Sequence, residues 1–161
     1  MIVLPTAIVY TLRFSFTKQL IAVIALFVMI VVFMWLYSIG SWANSQLPDN
    51  LRKAVLPYAL GLVIPIIYLI LVIILYFPAL ESDTPPRPPT WMLPMHLLSM
   101  IGIFYGIWYS ARQYMALQRG HEVDFMLFSS SFFLMWMFPL GNWIIQPSVK
   151  ELFDKLENTG S

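Results

Sequence analysis

From Leu20 to Trp42 the chain carries no charged side chain. An α-helix rises ~1.5 Å per residue, so this block alone reaches across the ~30 Å hydrocarbon core of a bilayer. A helix so long and so evenly apolar offers no wet face to a water-soluble domain. Composition points the same way: 60% of the residues are hydrophobic and 11% charged, against roughly 45–50% and about 25% in soluble domains. An all-α integral membrane protein is expected, because a helix satisfies its own backbone hydrogen bonds where there is no water.

Three further apolar blocks follow, and together they predict an antiparallel bundle of four transmembrane helices over residues 20–147, with spans at about 20–42, 55–80, 91–111 and 125–146. Residues 1–19 alternate polar and apolar from Thr11 to Thr17 and read as an interfacial segment. The polar stretch Asn44–Ala54, with Pro48, Asp49 and Asn50, has the length of a turn between antiparallel neighbours. Pro65 lies inside the second span and predicts a kink near Gly61. The prolines at 85, 86, 88 and 89 favour an extended, stiff connector. Residues 148–161 read as a short amphipathic tail: Ser148 and Glu151 have capping-box spacing, and Val149, Leu152, Phe153 and Leu156 share one face.

Several functions fall away at once. A net charge of +1 leaves no basic surface for nucleic acid, and the absence of cysteine removes disulfides, thiolate nucleophiles and Cys-ligated metals. Met1 runs directly into Ile2, Val3 and Leu4, so no cleaved leader is expected. With four spans both termini share one side with the Pro-rich loop. Arg13, Lys18, Arg87, Lys150 and Lys155 then stand against Arg52, Lys53, Arg112 and Arg119, a nearly even balance. Cytoplasmic termini are expected, since Arg13 and Lys18 precede the first inserting helix.

Ionisable groups inside a bilayer usually mark ion or substrate paths, and within the four spans only His96 qualifies. Ser129, Ser130 and Ser131 in the fourth span add hydroxyls, so these four residues form the candidate polar path. Asn142 and Gln146 are four apart and share a helix face that can bond another helix, while Pro139 and Gly141 predict a backbone break within that span. Ser99, Gly102, Gly106 and Ser110 form a stripe of small residues that permits close helix approach, within the bundle or with a partner. Pro85–Pro89 reads as a loop stiffener in preference to a polyproline ligand. His121-Glu-Val-Asp124 matches no established metal-ligand spacing. No catalytic residues, metal or cofactor are expected.

The run Phe132-Phe-Leu-Met-Trp-Met-Phe-Pro-Leu-Gly-Asn-Trp-Ile-Ile-Gln-Pro147, following Tyr109-Ser-Ala-Arg112, resembles the C-terminal half of a group of small four-span bacterial membrane proteins. Ser148-Val149 departs from that group's basic, Asn-containing continuation. The resemblance implies four spans in a bacterial inner membrane and carries no activity. The expected role is a non-enzymatic membrane subunit, an accessory or anchoring component of a larger complex such as a transporter. Its partners would be the lipid bilayer and other membrane subunits or further copies of itself. The alternative is a self-associating channel, transporter or membrane-perturbing effector.

Overall fold

The computed structural model describes residues 3–76, 87–138 and 140–159, with side chains described from Gln19 to Leu75 and, apart from Leu140 and Asn142, from Arg87 to Lys155. Five α-helices follow in order: α1 (Val3–Gln46), α2 (Val55–Leu71), α3 (Met92–Arg119), α4 (Phe125–Trp136) and α5 (Leu140–Thr159). No strand occurs among the described residues. Gln19–Gln46, Val55–Leu75 and Met92–Arg119 are long and apolar enough to cross a membrane, and α4 is a shorter apolar helix. This is the architecture of a multi-pass membrane protein.

The distribution of side chains supports that reading. Ile21, Phe27, Met34 and Ile101 are each at least 60% exposed, whereas Asn44, Ser110, Arg112 and Gln113 are buried. In water so large an apolar exterior would drive association. In lipid it is the ordinary outer surface of a bundle.

Helix α1 is continuous from Val3, so the backbone over 3–18, read from its alternation as an interfacial segment, is helical; the side chains there lie outside the described residues. At its other end Pro48 stops the helix. Leu51 and Arg52 both donate backbone N–H groups to the Pro48 carbonyl at 2.9 and 3.2 Å. The Arg52 guanidinium donates to the orphan carbonyls of Leu47 (2.7 Å) and Ser45 (3.1 Å), a side-chain cap of the helix end.

Helix α2 runs unbroken through Pro65, and the departure from α geometry comes later, as a π-helical turn over Val72–Tyr76. Residues 77–86, including the end of the expected 55–80 span and most of the Pro-rich connector, lie outside the described residues. Helices α2 and α3 approach backbone to backbone. A Cβ added at Gly102 would lie 2.5 Å from the Gly61 carbonyl oxygen, so only glycine allows these backbones to meet there.

Helix α3 continues eight residues past the Ala111 boundary that hydropathy suggests. Falling hydropathy does not end a helix, and Arg112 and Gln113 find polar partners inside the bundle. Gly120 ends it with a left-handed backbone (φ 71°), its N–H donating to the Ala116 carbonyl at 2.9 Å. Asp124 then opens α4, its carboxylate accepting from the Leu127 N–H at 3.1 Å.

Residues 125–146, read from the sequence as one span, form two helices. Helix α4 ends at Trp136 and α5 begins at Leu140, where Pro139 removes a donor and Gly141 packs directly on the Leu134 carbonyl. The anticipated capping box at Ser148–Glu151 is not a helix start, because α5 is continuous through Pro147. Instead the amphipathic face docks on the bundle. Val149 and Leu152 pack against its core, and Phe153 meets Trp42 with ring centroids 5.8 Å apart.

Candidate functional site: a polar knot joining three helices

The C-terminal ends of α1 and α3 and the start of α2 converge at one end of the bundle. Asn44, in the last turn of α1, pairs its amide with the backbone of Lys53: Nδ2 donates to the Lys53 carbonyl (3.1 Å) and Oδ1 accepts from the Lys53 N–H (2.8 Å). The same Oδ1 accepts a short hydrogen bond from Gln113 Nε2 on α3. Arg112 donates to Gln113 Oε1 at 3.1 Å and to Glu122 Oε1 at 2.6 Å, and its guanidinium lies 5.9 Å from the centre of the Trp108 ring. Tyr109 donates to the Lys53 carbonyl at 3.2 Å. One connected network thus runs from the 47–54 turn through α1 and α3 to the 120–124 turn.

A second cluster sits deeper. Tyr58 of α2 is fully buried; its hydroxyl donates to the Leu36 carbonyl and lies 2.8 Å from Ser110 Oγ. Ser110 reaches the carbonyls of Gly106 (2.9 Å) and Leu36 (3.2 Å). The Tyr58 ring stacks on Tyr109 with centroids 4.2 Å apart at 12°, and the Tyr37 ring lies 5.7 Å from Tyr58 at 15°. Each helix supplies a hydroxyl, a ring or a carbonyl, so no one of the three can shift without breaking a buried bond. An unpaired polar group in a dry interior costs about 1–3 kcal/mol. The arrangement is chemically a fastener, with its donors and acceptors matched to one another.

The residues singled out in the sequence divide among several places. Gly102, Gly106 and Ser110 lie in the contacts among α1, α2 and α3, where Gly106 meets Leu62. Ser99 is buried and donates to the Met95 carbonyl at 2.8 Å. Gln146 is exposed on α5 beside Ser38 and Trp42, and the Asn142 side chain lies outside the described residues. His96 is exposed, lies against the Tyr68 ring and borders Pro88 and Pro89. Ser129 donates to the Met126 carbonyl of its own helix, Ser130 is exposed and Ser131 is buried. The structure brings no contact between His96 and these serines. In the 121–124 turn the three polar side chains diverge: His121 meets the Glu122 carbonyl at 2.7 Å, Glu122 pairs with Arg112 and Asp124 caps α4. Among the described residues no three His, Cys, Asp or Glu converge as metal ligands.

Asn44, Tyr58, Tyr109, Arg112, Gln113 and Glu122 are not among the residues that the sequence singles out as a candidate site. Their one visible signal is position: polar side chains within a turn or two of a span's end, where a helix can be long enough to stay buried. Compared with protein families, characterised proteins and solved structures, the chain matches none.

Proposed function

We propose that this chain is a non-enzymatic membrane subunit, an accessory or anchoring component that packs against another membrane protein in a bacterial inner membrane. One observation carries the reading: the buried polar side chains of Asn44, Tyr58, Ser110 and Gln113 bond to one another or to backbone across α1, α2 and α3, while large apolar side chains along all three helices face outward. That surface is not smooth. Phe33, Met34, Leu62 and Ile66 border a groove of about 280 Å³ between α1 and α2 at mid-span, of a size that accepts a side chain from a neighbouring helix. The likeness of 132–147 to small bacterial membrane proteins supports the choice of membrane.

The second reading, a self-associating channel, transporter or membrane-perturbing effector, draws on Gln146 and Ser130, polar side chains exposed on the outside of α5 and α4. A gentle detergent purification separates the two. The subunit reading requires co-purifying partner chains in stoichiometric amount, lost when Val63→Trp, at an exposed position on the rim, fills the groove; a homogeneous homo-oligomer alone would sink it. The conduit reading requires solute or ion flux in liposomes that Gln146→Leu or Ser130→Ala reduces.

A further inference from the structure

The geometry points to α4 and α5 as a hairpin that enters the membrane to about mid-depth and returns to the side it came from, with that side facing the cytoplasm. A fourth crossing over 125–146 needs a helix of bilayer length, and α4 has 12 residues. At ~1.5 Å per residue that is roughly 18 Å, against a hydrocarbon core of ~30 Å.

The direction of each arm follows from its neighbours. Along α4, Phe128 meets Trp108 (6.2 Å) and Trp136 meets Phe104 (5.9 Å), so the helix descends beside α3, away from the end that holds Gln113. At its tip Phe138 lies 5.5 Å from Trp35, near the middle of the Gln19–Gln46 span. Helix α5 then ascends. Fifteen residues later Phe153 meets Trp42, two residues before Asn44, and Ser148, Glu151 and Lys155 share a groove of about 440 Å³ with Gln118 and Arg119 at the end of α3. The tail therefore lies level with the 47–54 and 120–124 turns, and Gly141 packed on the Leu134 carbonyl is the close approach that lets the chain reverse.

This reversal changes the charge balance across the membrane. Moved to the side of the two turns, Lys150 and Lys155 join Arg52, Lys53, Arg112 and Arg119, leaving Arg13, Lys18 and Arg87 opposite. Six against three is a clear bias, and lysine and arginine counts in short loops set orientation with the richer side in the cytoplasm. The tail and both turns face the cytoplasm, and the 87–91 turn faces away from it. The expectation of two termini on one side is replaced by an odd number of full crossings.

The chain has no cysteine, so single cysteines report their own side. Asn50→Cys, His121→Cys, Lys150→Cys and Thr90→Cys, each in the full chain, would be treated with a membrane-impermeant maleimide polymer on intact cells, their outer membrane opened and inner membrane sealed, and on inverted vesicles. Asn50, His121 and Lys150 lie at exposed positions, as does Thr90. The expected result is a mass shift of Thr90→Cys alone in intact cells and of the other three alone in inverted vesicles. Labelling of Lys150→Cys together with Thr90→Cys would overturn the hairpin. Labelling of Asn50, His121 and Lys150 variants together in intact cells would preserve the hairpin and overturn the orientation. A protease-accessible C-terminal epitope tag, read in the same two preparations, repeats the test without a substitution.

Discussion

Tyr58 and Ser110 are 52 residues apart in sequence and 2.8 Å apart in space, and they meet over the Leu36 carbonyl, so one contact joins all three long helices. The pair should behave as a unit. Tyr58→Phe and Ser110→Ala each remove one hydroxyl with little change of shape. In a double-mutant cycle their coupling should be about 0.6–1.7 kcal/mol, the range found for hydrogen bonds between membrane helices. Equilibrium unfolding in mixed micelles measures it, and strictly additive single effects would show that the contact contributes nothing.

Gly102→Ala should destabilise the bundle by about 1–3 kcal/mol, the usual cost of overpacking. Its added methyl group would meet the Gly61 backbone, which cannot rotate aside as a side chain could. Thermal unfolding in detergent is the readout. A neutral result would mean that α2 and α3 sit farther apart than described.

Gln113→Leu should be costlier than Glu122→Gln. Gln113 is fully buried and links Asn44 to Arg112, so its loss leaves buried donors unmatched, at about 1–3 kcal/mol. The Glu122 side chain is 68% exposed and water can replace it, so neutralising it should cost no more than about 1 kcal/mol. The same unfolding measurement ranks the two, and the reverse order would move the centre of the network to the Arg112–Glu122 ion pair.

Gly141→Ala should abolish the α4–α5 packing, since a methyl group there occupies the space of the Leu134 carbonyl. Limited proteolysis should then release the tail while α1–α3 stay intact. A tail as resistant as the parent chain's would show that the tip opens without cost.

His96→Ala should leave stability within about 0.5 kcal/mol of the parent, as for most exposed substitutions. The histidine is exposed, with its ring 5.8 Å from that of Tyr68. A loss of several degrees in the unfolding midpoint would point to a role that its surroundings do not suggest.

How much of this was legible in the residues depends on the physics behind each element. The long apolar block after Lys18 announces α1, because hydropathy and length are both local properties. The end of α3 was not visible: hydropathy falls at Arg112, while the helix persists until Gly120 supplies a left-handed residue. Pro139 and Gly141 signalled a break, but apolarity reads alike for a helix that crosses and a pair that turns back. Ser110 was noted for being small and proved to matter for its hydroxyl. The partners of Asn44, Tyr58 and Gln113 lie tens of residues away, and nothing in a single chain of letters pairs them.

Asn44 is bound to Lys53, nine residues away, and to Gln113, 69 residues away, through the same carbonyl oxygen. The nearer bonds lie within ten residues of chain and need no part of α3 to form. They fix the direction in which the amide oxygen faces Gln113. The amide thus serves as a docking pin held by the turn, setting the register of the third helix against the first two.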